Sequence, residues 1–325
     1  MRQHKKNVFM FSGQGSHYFQ MGRALYDHDM VFKAEMQLMD ALLRDRYRLS
    51  IIDVLYKEEH RKGMPFNRTF WTNPAIVMVE LALAKSLMSR GIRPDVMLGS
   101  SLGTFTAAVL AGSCSWEEAL VGVIEQALIL EANCPPGTMT AVVAPVALFD
   151  ELGWSRLGEM AGISYASHFV VSSTMADMAL IEHEAKARQL VYQRLEVSYA
   201  FHSRWLEPAK EALLSQANPL VLRRPSIPIM CCANPGMVPD VVPVDYFWSV
   251  ARKPIQFMQA LGILEQTGPW QYIDVGPAGT LANFVKQNLA PHSASRHHTV
   301  MTPFGSELKN LDRLETALHM VHGVP

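Results

Sequence analysis

Gly99-Ser100-Ser101-Leu102-Gly103 spells G-x-S-x-G between two dissimilar neighbours. Before it, the short run Asp95 to Leu98 reads as a strand. After it, Thr104 to Ala111 reads as a helix. A strand, a tight turn and a helix around a central serine is the context of a nucleophile elbow. The glycines permit a turn sharp enough to lift the serine off a sheet. A helix that begins there aims its free N–H groups and its dipole at any negative charge that develops. An ordinary Gly/Ser-rich turn would share the letters, but the matching context favours Ser101 as a nucleophile.

Outward from this turn, short β-rich runs alternate with longer helical ones, which predicts an α/β fold with a parallel sheet. Val8 to Phe11 reads as a strand leading into a Gly-rich loop, and Phe70 to Ser89 has apolar residues at helical spacing. Ser115 and Glu118 form an S-x-x-E capping box at a helix start. That helix should end near the breaker Cys134-Pro135-Pro136-Gly137. Strands are then expected over Met139 to Val143, Ile163 to Ser172 and Val191 to Val197, with helices over Leu148 to Leu157 and Met175 to Leu190. If the middle strand splits, the order is β-α-β-β-α-β, a small ferredoxin-like unit. It reads as an insertion, 136–202, into a larger domain made of 1–135 and 203–325. Ile227 to Cys232 and Tyr272 to Val275 are further strands, and the polar run Pro291 to His298 reads as a surface loop.

Composition narrows the function. With 325 residues and 49% apolar content, a sizeable core can be buried. The net charge of −1 makes nucleic-acid or anionic-membrane partners unexpected. Met1 to Lys6 is basic, but the apolar run after it is too short for a signal peptide. No apolar run reaches the length of a membrane span. A cytoplasmic protein is therefore expected. The four cysteines, Cys114, Cys134, Cys231 and Cys232, read as reduced core thiols rather than a disulfide framework or zinc site.

A serine hydroxyl needs a base. Among twelve histidines, His202 stands out in Tyr199-Ala200-Phe201-His202-Ser203, where strand gives way to helix. Together these pieces resemble the malonyl-CoA:acyl carrier protein transacylases and the acyltransferase domains of polyketide synthases. Gly13-Gln14-Gly15-Ser16 is similar to the family's G-Q-G-S loop, and Gly99 to Gly103 to its G-H-S-x-G elbow. Tyr199 to His202 is similar to its H-A-F-H or Y-A-S-H motif, and Asp274-Val275-Gly276-Pro277 to its E-V-G-P turn. Each motif is weak alone; four in order, from about Val8 to Leu289, are specific together.

The resemblance implies an α/β-hydrolase-like large domain with the ferredoxin-like subdomain inserted. It implies Ser101 as nucleophile, His202 as base and the backbone N–H groups of Gln14 and Leu102 as the oxyanion hole. It further implies a backbone carbonyl, here expected at Gln256, that orients the histidine. A generic α/β-hydrolase would use an aspartate such as Asp150 or Asp177 instead. No tightly bound cofactor is implied. The substrate would be an acyl thioester of coenzyme A or of the phosphopantetheine on an acyl carrier protein.

The chain departs from the family at the acyl site. Members that transfer dicarboxylic groups pair the free carboxylate with an arginine on the helix after the elbow. The matching position is Gln126, beside Glu125. Arginine offers a charged fork that fits a carboxylate; glutamine offers one neutral amide. A cation from Arg204 is the other way to meet a carboxylate. Ser100 replaces the elbow histidine, Thr104 replaces a common glutamate, and Phe201 is the form usual with unbranched extender units. The expected function is hydrolysis of uncharged acyl groups from carriers, similar to the stand-alone acyl hydrolases of trans-acyltransferase polyketide pathways. Transfer of a monocarboxylic or, less so, a malonyl group and a non-catalytic carrier-binding module are the alternatives. His292, His297 and His298 lack the second cluster a metal site needs.

Overall fold

The structure, a computed structural model, describes residues 6–216 and 220–322, with side chains to 318. Met1 to Lys5, most of the basic N-terminus, lies outside the described residues. The strands are β1 (Lys6–Phe11), β2 (Val96–Gly99), β3 (Gly137–Val143), β4 (Glu159–Tyr165), β5 (His168–Thr174), β6 (Val191–Arg194), β7 (Ile229–Cys231), β8 (Gly236–Met237), β9 (Ile255–Gln256), β10 (Trp270–Asp274) and β11 (Arg296–Thr299). They form two sheets.

The larger sheet has the order β11-β10-β1-β2-β7-β8 and is parallel except for the β7–β8 pair. Its central strands are buried almost throughout, because helices cover both faces. The strand period divides the core. Phe9 and Phe11 point to the side of the Thr69–Ser89 helix, while Val8 and Met10 join the opposite cluster with Phe257, Leu261, Leu281 and Val285. The Thr69–Ser89 helix is buried on nearly every face, as expected of a helix apolar all round.

The second sheet has the order β6-β3-β5-β4-β9. Its strands β3 to β6 pair antiparallel, with the Met175–Ala187 helix packed on them, and give the ferredoxin-like order. The run expected as Ile163 to Ser172 does split, into β4 and β5. The unit is not closed at residue 202, however. β9, from the larger part of the chain, adds to β4 in parallel through Gly162–Ile255 and Ile163–Gln256.

The capping box at Ser115 and Glu118 is present on the Trp116–Asn133 helix. The stretch Pro291 to His298 is not all loop: Arg296, His297 and His298 belong to β11. An edge strand is held by backbone bonds on one side only, so it needs no apolar alternation and its polar sequence concealed it. His298 Nε2 lies 2.7 Å from Gln271 Oε1 on the neighbouring strand. The helices Arg23–His28, Met30–Tyr47 and Ile51–Tyr56 were not anticipated. All four cysteines are buried free thiols. Among the described residues, no helix is long and apolar enough to cross a membrane.

Candidate active site

Ser101 sits between the end of β2 and the Gly103–Leu110 helix with φ at 54°, a left-handed conformation uncommon for serine. Such a residue persists only where its surroundings hold it. Here the turn is clamped against β1. A Cβ on Gly103 would come within 2.1 Å of the Phe11 carbonyl oxygen, so only glycine lets the elbow approach so closely. The N–H groups of Gly103, Thr104 and Phe105 bond to the carbonyls of Ser100, Ser101 and Leu102. The N–H of Leu102, at the helix N-cap, stays outside this ladder.

His202 also has a positive φ, 60°. Its Nε2 lies 2.8 Å from Ser101 Oγ, and its Nδ1 lies 2.8 Å from the carbonyl oxygen of Lys253. The carbonyl accepts only, so it fixes the proton on Nδ1 and leaves the Nε2 lone pair facing the serine hydroxyl. The ring is 2% exposed. Burial lowers its pKa to about 4; the Lys253 carbonyl opposes this and the Arg252 charge adds to it. The imidazole is therefore neutral at neutral pH and can take a proton from Ser101.

The orienting carbonyl is that of Lys253, not Gln256 as expected. The Tyr246–Arg252 helix stops at Lys253, whose backbone is extended at ψ 150°. Pro254 enforces this, because the residue before proline is barred from the helical region. The freed carbonyl turns to His202. Gln256 lies on β9 and donates its own N–H to the Cys232 carbonyl. Asp177 lies in the first turn of the Met175–Ala187 helix, where its N–H bonds to the hydroxyl of the N-cap Thr174, and it does not reach the histidine.

Gln14 follows β1 in a loop pressed against the elbow. A Cβ on Gly13 would lie 2.9 Å from Ser101 Cβ and 3.2 Å from the Leu102 nitrogen. Gly13 thus packs directly on the elbow, beside the Leu102 nitrogen. The Gln14 side chain is held away by Thr72 Oγ1, at 2.7 Å, and by Asn73 Oδ1. Ser16 Oγ donates to the Gly13 carbonyl at 2.7 Å and closes the loop.

Two cavities meet at Ser101. One, of about 20 Å³, is lined by Asn73, Leu102, Phe105, Gln126, Phe247 and Val250 among others. That is little more than a water molecule requires. The other, of about 230 Å³, runs between the two sheets past Met139, Ala141, Val170, Leu195, Ile255 and Phe284. Ser101, Gln14 and Phe201 border both.

Gln126 is 8% exposed and faces the small cavity. Among the described residues, none hydrogen-bonds its side-chain amide, and no charged side chain lines this pocket. Ser100 lines the large cavity. Arg204 lines neither cavity. Its guanidinium pairs with Glu159 at 3.0 Å and covers the Trp205 ring, which removes it from the acyl site. Sequence reasoning missed Asn73, Phe105 and Phe247, which come from distant segments and carry no motif.

A serine hydroxyl, a neutral buried imidazole within hydrogen-bond distance of it and two cavities thus come together at one point. The chain belongs to the acyl transferase domain family, whose model matches residues 8–323. It is 40% identical to the polyketide biosynthesis acyltransferase homolog PksD of Bacillus subtilis, over 95% of both chains. It is 39% identical to the homolog BaeD of Bacillus velezensis, over 96% of both. The acyltransferase domain from the second module of the salinomycin polyketide synthase is 26% identical, with a TM-score of 0.85, covering 99% of this chain and 75% of that one. The fold also matches MCAT from Streptococcus pneumoniae, at a TM-score of 0.79 and 23% identity, over 96% and 100% of the two chains.

Proposed function

We propose that this protein acts in polyketide biosynthesis, where it hydrolyses short uncharged acyl groups, acetyl above all, from the phosphopantetheine thioesters of acyl carrier proteins. Neutral His202 takes the Ser101 proton through Nε2 as Oγ attacks the thioester carbonyl. The imidazolium keeps its Nδ1–H on the Lys253 carbonyl. The N–H groups of Gln14 and Leu102 bind the oxyanion; removing one such donor typically costs about 3 kcal/mol of transition-state stabilisation. Collapse expels the thiolate, which recovers the proton from His202, and leaves the acyl group as an ester on Ser101. Water, activated by the same histidine, releases the acid and restores the serine.

The observation that carries the substrate class is Gln126. A dicarboxylic acyl group entering the small cavity would bury its carboxylate against a neutral amide. Leaving a buried charge without its partner typically costs about 2–5 kcal/mol. The cavity of about 20 Å³ suits a methyl-sized group. The stacked Phe105–Phe247 rings, with centroids 3.8 Å apart, form part of its wall. The larger cavity accommodates the carrier's arm. The names of the relatives support the polyketide setting.

The test uses carrier proteins loaded with acetyl, malonyl or a longer chain, followed by intact mass. Acetyl carrier should revert to free thiol while acetate accumulates, and malonyl carrier should persist. Rapid malonyl loading of Ser101 would overturn the reading of Gln126. Acetyl reappearing on a second carrier, without free acid, would replace hydrolysis by transfer.

A further inference from the structure

Two carboxyl groups are completely buried near the site, yet neither lines a cavity. Asp274 accepts the N–H groups of Gly276, at 2.9 Å, and Ala282, at 2.8 Å, and so closes the turn after its own strand. Glu80, on the Thr69–Ser89 helix, has no such local task. Its Oε1 accepts from the Ser12 N–H at 2.7 Å and from the Ser12 hydroxyl at 3.1 Å. Its Oε2 accepts from the Thr106 hydroxyl at 2.8 Å.

These partners belong to different parts of the chain. Ser12 opens the loop that carries Gln14. Thr106 lies one turn into the helix that begins after Leu102. We propose that Glu80 is a positioning residue of the oxyanion hole, fixing the Gln14 N–H relative to the Leu102 N–H. This rests on those two groups forming the hole, as in the proposed function.

The physical need is plain. The two donors follow different strands, and an oxyanion hole works only where both reach the same oxygen at about 2.7–3.1 Å. The β1–β2 ladder aligns Phe11 with Gly99 but ends there. Beyond it, Glu80 joins the two segments. The same helix grips the loop a second time through Thr72 and Asn73 on the Gln14 amide. Ser12 Oγ also lies 2.9 Å from Ser16 Oγ, so its hydroxyl proton is shared between Ser16 and Glu80 and the contact extends into the loop. Burial, opposed by the bonds from Thr106 and Ser12, raises the Glu80 pKa to about 8. The carboxyl therefore holds a proton more readily than an exposed one, and in its protonated form Oε2 donates to the Thr106 hydroxyl instead of accepting from it.

The test compares Glu80→Met, Glu80→Gln, Thr106→Val and Thr106→Ser in the full chain. Methionine removes both links at similar length. Glutamine keeps an acceptor for the Ser12 N–H and a group that the Thr106 oxygen can accept from. Acylation of Ser101 by p-nitrophenyl acetate is followed as a pre-steady-state burst. Binding of a trifluoromethyl ketone, which becomes tetrahedral on Ser101, is measured beside it.

Glu80→Met should slow acylation by about 10- to 100-fold, less than or comparable to the loss of a whole donor. Its KM should change less than twofold, and ketone affinity should fall by the same factor as the rate. Glu80→Gln should restore most of the rate. Thr106→Val should fall between, and Thr106→Ser should match wild type. A folded Glu80→Met acylating within twofold of wild type, or a loss confined to KM, overturns the proposal. Should that variant fail to fold, Thr106→Val against Thr106→Ser decides by the same criteria. A wild-type burst without turnover of acyl carriers would overturn the proposed function and leave this inference standing. No release of p-nitrophenol at all would overturn both.

Discussion

The two cavities that meet at Ser101 are built differently. The small one lies between the elbow helix and the helices Thr69–Ser89, Trp116–Asn133 and Tyr246–Arg252. Its volume is about 20 Å³, and the buried amides of Asn73 and Gln126 supply its polarity. The large one lies between the two sheets and is mostly apolar, at about 230 Å³. A thioester also has two unlike arms. A tight, preformed pocket rejects what exceeds it in size or charge, whereas a long apolar cleft accepts an extended arm by contact area. Discrimination among acyl groups is therefore expected on the small side and carrier affinity on the large side.

The largest effect should come from the junction. Ser101→Ala should abolish the acyl-enzyme and lower turnover of acetyl carrier by at least about 10⁴-fold, as loss of a nucleophile does elsewhere. Intact mass of the enzyme checks this. If activity survived, the two cavities would share no common reactive atom.

Gln126→Arg alters only the small side. It should raise malonyl loading at least about 30-fold, the equivalent of roughly 2 kcal/mol. Acetyl turnover should fall in the same variant, and competition between the two carriers measures both. An unchanged malonyl rate would break the assignment of acyl selection to this pocket.

The pH dependence probes what both arms share. His202 titrates near 4 because burial disfavours its charged form, and only its neutral form accepts the serine proton. Burst acylation should therefore be flat from pH 8 down to about 5. Below about 4 it should fall tenfold per pH unit. A limb centred near the ordinary histidine value would show that the ring is hydrated in solution.

Ala141→Trp fills the large cavity from β3. It should raise KM for acetyl carrier about tenfold, a penalty comparable to overpacking by about 1.4 kcal/mol. Acylation by p-nitrophenyl acetate, which has no carrier arm, should be unaffected. Equal losses for both substrates would merge the two cavities into one function. The smallest effect belongs to Arg204→Ala. Its ion pair with Glu159 lies outside both cavities, so the acetyl-to-malonyl ratio should change less than about twofold, in keeping with the small worth of exposed pairs.

Much of the site could be read from local sequence. Ser101 lay in a five-residue turn whose glycines have steric reasons, and His202 in a strand-to-helix junction. Gln126 was placed by its match to the family's arginine position on the helix after the elbow, and it does face the pocket beside Ser101. The expected carbonyl was wrong by three residues. Every residue has a carbonyl, so residue type does not reveal which one turns toward a ring; Pro254 was the available signal, through its restriction of Lys253. Arg204 was a candidate because it follows His202 closely, but Glu159, from β4, claims it. β11 was hidden because an edge strand can be polar throughout. Asn73 and Phe247 had no signal at all, since only folding brings the helices that carry them to Ser101.

The amino-acid sequence by itself determined the α/β class, the elbow, the candidate serine and histidine, and the absence of a cation at position 126. These follow from short-range rules, in which spacing and steric limits act within a few residues. The tertiary structure decided the rest. It set the 2.8 Å contact between Ser101 and His202, the choice of the Lys253 carbonyl and the division of space around the serine. It also decided the charge state of His202, because desolvation depends on everything packed around the ring rather than on its neighbours in the chain.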